Sequence, residues 1–219
     1  MLLAEELLLL GLDPEKGTVV NSARQYVKVG LSGALVAELA LDGQVELRDR
    51  RFVPSGKEQP ADPLLRDVRA ALASPKGRRS KDQVRRLDKA AGGVWDRVAA
   101  RLVDRGVVEL QPRSLFRTER YPVLDLAARA ELLERVRAAA ATDGQLDPRT
   151  AVVLALSGPC RLLEVVAPDR ASRKQARQRI DAATALTPVA PVVKAVIADV
   201  QVAVTAAVAA AGAAAAASG

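Results

Sequence analysis

Between positions 30 and 47 the apolar residues change period, and the change marks the first clear element boundary. Leu31, Leu35 and Leu39 recur every fourth residue, with Val36 beside them and Gly33, Ala34, Ala37 and Ala40 between them. That cadence predicts a helix whose small residues let another helix approach closely. Asp42-Gly43 stops it, and Gly43 suits a left-handed cap. Gln44-Val45-Glu46-Leu47 then alternates polar and apolar, which predicts a strand with one buried face. Arg48-Asp49-Arg50-Arg51 is a basic exit, and Val53 to Lys57 reads as loop. The cadence returns from Trp95 to Leu110. There Val98 and Leu102 face inward, Asp104-Arg105-Gly106 turns, and Val107 to Leu110 extends. One unit is used twice: a helix, a glycine turn and a short strand.

The rest of the pattern is mostly helical. Leu2 to Leu10 predicts a short helix closed by Gly11, with a turn from Asp13 to Gly17. Asn21-Ser22 can cap a helix running through Tyr26 toward Gly30. Asp62 is an N-cap with Pro63 in the first turn, followed by Leu64, Leu65, Val68 and Leu72 on the inner face, and the helix ends before Ser74-Pro75. Ser80 can cap a helix bearing Val84 and Leu87, which Gly92-Gly93 interrupts. Gln111 to Pro122 predicts a β-hairpin, with Gln111-Pro112-Arg113-Ser114 at the tip and Leu115 to Tyr121 as the return strand. From Asp125 onward the reading is all helix. One helix carries Leu126, Leu132, Leu133 and Val136. Another starts at Asp147-Pro148 and runs from Arg149 to Val166, and its apolar Ala151–Leu156 stretch is expected at the centre of the protein. Arg170 to Ile180 is strongly basic. A last helix from Pro191 carries Val192, Val196, Val200 and Val204. No shift in composition divides residues 1–205, and residues 206–219 form a low-complexity alanine-rich tail.

Composition narrows the chemistry. The chain of 219 residues is 49% hydrophobic but only 2% aromatic, so Ala, Val and Leu supply the core, which favours packed helices over a sheet sandwich. With no histidine, His-based triads, general bases and metal ligands are excluded. One cysteine, Cys160, excludes an intrachain disulfide and a cysteine metal cluster, and its apolar surroundings read as a buried structural thiol. No phosphate-binding glycine loop, GxGxxG or HExxH occurs. Gly30-Leu31-Ser32-Gly33 resembles part of a serine-nucleophile motif, yet no histidine exists to activate Ser32, and tight helix packing is the better reading. No catalytic residue, metal or cofactor is therefore expected. The amino-terminal MLLAEELLLLGLD is acidic, too short to span a bilayer and without the basic start of a secretory signal, so a cytoplasmic protein is expected.

Lys and Arg outnumber Asp and Glu by 33 to 26, a net +7 that favours anionic partners. The basic residues cluster as Arg24 with Lys28, as Arg48, Arg50 and Arg51, from Arg78 to Arg86, and as Arg97 with Arg101. They make one anion-binding surface only if the fold gathers them. Leu115-Phe116 is expected near a hairpin tip, where it can tuck inward, join two copies of the chain or enter a lipid headgroup layer.

Four stretches resemble the Golgi phosphoprotein 3 family, whose eukaryotic members bind phosphatidylinositol 4-phosphate on Golgi membranes. Leu7-Leu8-Leu9-Leu10-Gly11-Leu12 is similar to the family's EELLLLGL opening. Gly30-Leu31-Ser32-Gly33, Glu38 to Gly43 and Val45-Glu46-Leu47 resemble its GLRG…ELALxGxLxL block. Arg97 to Val107 resembles its RLxxxLVEKGVL block, and Leu115-Phe116 through Pro122 its proline-ended hairpin. The resemblance implies a mainly α fold, a single helical domain with short strands and a protruding β-hairpin. It also implies a non-enzymatic peripheral membrane protein that binds anionic phospholipid headgroups, phosphatidylinositol 4-phosphate by analogy. The family's pocket tryptophan falls on Ala23, its GLRG arginine on Ser32, and two further basic positions on Gly92 and Trp95. The residues expected to meet a headgroup are accordingly Arg24, Lys28, Ser32, Arg85, Arg86, Lys89 and Trp95. Arg113, Leu115, Phe116 and Arg117 are expected to touch the membrane or to pair two copies of the chain. A second reading treats Lys81 to Arg120 as a winged helix that binds nucleic acid, with the half-apolar Val94–Val103 as its recognition helix.

Overall fold

The computed structural model describes residues 1–20, 23–56, 58–74, 79–112, 119–186, 191–202 and 205. Its elements are α1 (Leu3–Gly11), α2 (Arg24–Leu41), β1 (Val45–Arg48), β2 (Arg51–Pro54), α3 (Pro63–Ala73), α4 (Ser80–Ala90), α5 (Val94–Asp104), α6 (Leu126–Ala141), α7 (Pro148–Ser157), α8 (Leu163–Val166) and α9 (Arg170–Leu186). A further helix, α10, covers 191–202.

The core is built around α2, in which every residue from Gly30 to Ala40 is buried. It packs against α1, α3, α4, α5 and α7. Its glycines are there for space rather than for a turn. A Cβ on Gly30 would collide with Cys160 Sγ, and one on Gly33 would lie 2.8 Å from Val196 Cγ1 and 2.9 Å from Val200 Cγ2 on α10. The tight helix packing expected of Gly30-Leu31-Ser32-Gly33 is in place, and α2 runs through both glycines. The expected Asn21-Ser22 cap falls outside the described residues. The expected core is in place: Leu35, Leu39, Val98, Leu102, Leu154 and Leu156 are each at most 1% exposed. Residues Thr150 to Ser157 of α7 are all buried.

Buried carboxylates fasten α1 and α2 to their neighbours. Glu5 accepts from Arg101 Nε at 2.6 Å, and Glu6 from Arg135 Nη2 at 2.8 Å. Glu38 pairs with Arg149 and accepts the Leu3 amide at 2.5 Å. Removing one partner of such a pair leaves an uncompensated charge, so each pair fixes the register of two helices.

Two element boundaries and the facing of one residue differ from those the sequence predicts. Arg51–Pro54 is a strand, not loop, and pairs antiparallel with β1 from Val45↔Pro54 to Arg48↔Arg51. Its turn places Asp49 at φ 46° and Arg50 at φ 61°, where glycine or asparagine is usual. The single helix expected from Arg149 to Val166 is interrupted: α7 ends at Ser157, Arg161 takes φ 57°, and α8 begins at Leu163. Leu126, expected on the inner face, begins α6 in its first turn and stands 60% exposed.

The second helix–turn–strand unit is looser than the first. After α5, Gly106 turns at φ 66° and the chain extends, but among the described residues it pairs through the isolated bridges Val108↔Val123 and Gln111↔Arg120. Gln111 and Arg120 exchange two backbone hydrogen bonds, at 2.9 and 3.0 Å, which closes the base of the expected hairpin. Its tip, with Arg113, Leu115, Phe116 and Arg117, lies outside the described residues, as do Arg78, Val204 and the alanine-rich tail.

Candidate anion-binding face

Three helix ends converge where the amino-terminal part of α2 meets the end of α4 and the start of α5. The α4–α5 turn is made by Gly92 and Gly93 at φ 74° and 87°. Such angles are open to glycine at little cost, and they let α5 double back so that Trp95 comes under α2. A second support is the extended segment after the hairpin. The Tyr121 amide donates to Gly17 O at 2.7 Å, which lays Tyr121 beside the turn leading into α2.

Arg24 stands over Trp95, with its guanidinium carbon 4.9 Å from the ring centroid. Trp95 meets Tyr121 edge-on, at a centroid separation of 6.5 Å and an interplanar angle of 66°. Both rings are nearly buried, so they form a fixed floor beneath an exposed cation. Burial and the nearby Glu119 carboxylate push the Tyr121 hydroxyl above its usual range, and it stays protonated. One turn along α2, exposed Lys28 pairs with Asp88 on α4 at 3.0 Å. Lys89 is exposed next to Asp88. Arg85 lies one turn earlier on α4, with only a loose 3.9 Å contact to Asp82. The face is thus an aromatic floor carrying Arg24, bordered by Lys28, Lys89 and Arg85. Exposed Arg86 is on the same helix.

The fold gathers some of the expected residues and withdraws others. Ser32 is 1% exposed inside the α2 core and cannot meet a surface headgroup in this arrangement. Trp95 belongs to the face, but as the support under Arg24 rather than as an open wall. Arg97 and Arg101 do not extend the face. Arg97 bridges to Asp67 at 2.7 Å and to Ala91 O at 2.8 Å, while Arg101 joins Glu5 to Asp62. The arginines of the β1–β2 turn form a separate edge: Arg48 pairs with Glu46, and Arg50 O accepts from the Ser80 amide. Helix α5, the recognition helix of the nucleic-acid reading, buries Val94, Trp95, Val98, Ala99 and Leu102, and its arginines Arg97 and Arg101 are both paired with carboxylates. Tyr121 and Asp88 are members of the face that the sequence did not single out. Tyr121 had a signal in its place beside Pro122; Asp88, one acid within a basic run, had none.

No group of His, Cys, Asp and Glu side chains among the described residues is placed to hold a metal ion. No helix among them is long and apolar enough to cross a membrane. Fold and face together define a mostly helical single domain with a small antiparallel hairpin and an open cationic surface on aromatic support. The chain belongs to the Golgi phosphoprotein 3 (GPP34) family, whose model matches residues 3–200. No curated protein matches it.

Proposed function

We propose that this chain is a non-enzymatic, cytoplasmic, peripheral membrane protein that binds the phosphates of anionic lipid headgroups at the face formed by α2, α4 and α5. The observation that carries the reading is Arg24 held 4.9 Å over the Trp95 ring, which Tyr121 meets edge-on, with Lys28 one turn away. An arginine fixed by a ring offers its N–H groups to a phosphate with less ordering to do, and charge-assisted hydrogen bonds to phosphate are the strong ones. Lys28 is paired with Asp88, so a phosphate arriving there would share or displace that carboxylate.

Family membership supports phosphatidylinositol 4-phosphate as one ligand of this face. The residues support weaker selectivity. Trp95 is too buried to lie flat against an inositol ring, and Ala23 supplies no aromatic group in its place. Discrimination among phosphatidylinositol 4-phosphate, phosphatidylinositol and phosphatidylglycerol should therefore be modest. The segment Arg113 to Arg117 provides a second contact in this reading: Leu115 and Phe116 enter the lipid layer while the arginines meet headgroups. Gln111 and Arg120, which flank that segment in the chain, pair with each other.

Vesicle co-sedimentation over a panel of lipid compositions, with a duplex-DNA mobility shift in parallel, tests the proposal. Binding to anionic vesicles but not to neutral ones or to DNA is expected. Tighter binding to DNA than to any vesicle would replace this reading with a nucleic-acid one.

A further inference from the structure

Beyond the α2–α4–α5 face, a second concentration of arginine lies where α7 gives way to α8 and α9. A cleft of about 360 Å³ is lined by Gly158, Arg161, Leu163, Glu164, Arg173 and Arg177. That volume is at the lower end of those that hold small ligands, roughly 300–1,000 Å³. Three guanidiniums and one carboxylate leave a formal charge of +2, three minus one.

Two of the three arginines are held by local contacts. Arg161 takes φ 57°, a region that side-chain-bearing residues rarely adopt and that concentrates at binding sites. Its guanidinium carbon lies 4.7 Å from the Tyr26 ring centroid, which orients it while the side chain stays exposed. Arg173 is fixed by donating Nη1 to the Ala167 and Pro168 carbonyls, which leaves its other nitrogens for a ligand. Arg177 is exposed, follows Arg173 by one helical turn, and has no ion-pair partner among the described residues. Like charges at i,i+4 oppose helix formation. Asp169 does not relieve them: it caps α9 by accepting the Ala171 and Ser172 amides. Stacked, anchored and exposed arginines converging on one cleft make a fork-shaped receptor for a tetrahedral dianion.

We infer that the Arg161–Arg173–Arg177 cleft binds a phosphate monoester, which carries about −2 at neutral pH and matches the charge of the cleft. The phosphate can come from a small soluble metabolite or from a lipid headgroup that ends in a monoester. This inference does not depend on the α2–α4–α5 face.

Calorimetric titration of the full chain with glycerol 3-phosphate at low salt reads the soluble source. Sedimentation with phosphatidic acid vesicles, against phosphatidylglycerol vesicles whose phosphate is a diester, reads the lipid source. The Arg161→Gln, Arg177→Gln double variant should bind the responsive probe at least tenfold more weakly, whereas Arg24→Gln with Lys28→Gln should change glycerol 3-phosphate binding less than twofold. A response to the vesicles alone, lost in the Arg161/Arg177 variant, assigns the site to lipid. Arg177→Glu alone, at an exposed position, keeps the test open should Arg161→Gln fail to fold. Absence of saturable binding to both probes, or equal binding by wild type and the Arg161/Arg177 variants, overturns the inference.

Discussion

Arg24 and Trp95 lie on different helices, yet the guanidinium of one rests 4.9 Å above the ring of the other, the chain's single tryptophan. The two residues have different jobs. Trp95 is 4% exposed, so Trp95→Ala would remove core volume and cost about 3–5 kcal/mol of stability. Arg24 is exposed, and a cation–π contact at an exposed site contributes about 0.5–1 kcal/mol. Urea unfolding of Arg24→Gln should therefore show a loss within about 1 kcal/mol, while binding to anionic vesicles falls sharply. Unchanged vesicle binding would remove Arg24 from the headgroup site.

Gly33 tests the packing of α10. A helical glycine replaced by alanine normally gains about 1 kcal/mol, but here the new Cβ would sit within 3.0 Å of Val196 Cγ1 and Val200 Cγ2. Both are short branched side chains in a buried row, so the overpacking cost of about 1–3 kcal/mol should outweigh the gain. Denaturant titration of Gly33→Ala is expected to show net destabilisation. A stabilised variant would mean that α10 does not dock on α2 as described.

Cys160 offers a pH test. Complete burial pushes its thiol from an ordinary value near 9.0 up to about 12. The folded-state value is the raised one, so the unfolded chain releases this proton first as pH rises. The contribution is fully present below about pH 9 and is lost between about pH 9 and 12, at about 1.4 kcal/mol per pH unit. Over that window wild type should lose more stability than Cys160→Ala. Iodoacetamide should also label the native protein far more slowly than the unfolded chain at pH 8. Fast native labelling would contradict the burial.

Leu115 and Phe116 test the membrane-insertion part of the proposal. Burying the pair in a lipid layer would contribute on the order of 3–5 kcal/mol. Leu115→Ser with Phe116→Ser should abolish vesicle binding and leave the melting temperature within a few degrees of wild type. A collapse in stability would assign the pair to the core, and a change from dimer to monomer on sizing would assign it to self-association.

Much of the fold was legible because its signals are local. The fourfold spacing of Leu31, Leu35 and Leu39 announces α2, and Asp62-Pro63 and Asp147-Pro148 announce α3 and α7, where both aspartates accept the expected capping hydrogen bonds. The misreadings share a cause: residues in unusual backbone roles. Asp49 and Arg50 make a left-handed hairpin turn without glycine, which hid β2. Arg161 does the same between α7 and α8. Gly30 and Gly33 were legible as packing glycines, and Cys160 indeed leaves no room for a side chain at Gly30. The candidate face was only half legible. Arg24, Lys28 and Lys89 could be named from charge, but whether a cation is open or already paired depends on tertiary partners. Arg97 and Arg101 read like Arg24 in the sequence and differ only because Asp67, Glu5 and Asp62 meet them in the fold.

The central claim is that exposed cations on α2 and α4 hold lipid phosphate. Co-sedimentation with phosphatidylglycerol vesicles across a salt series, for wild type and for Arg24→Gln with Lys28→Gln, tests it most directly. The screening length falls from about 10 Å at 0.1 M salt to about 3 Å at 1 M. Wild type should bind at low salt and release as salt rises, and the double variant should bind weakly throughout. Wild-type binding that does not change with salt, or a double variant that binds as well as wild type, would contradict the account.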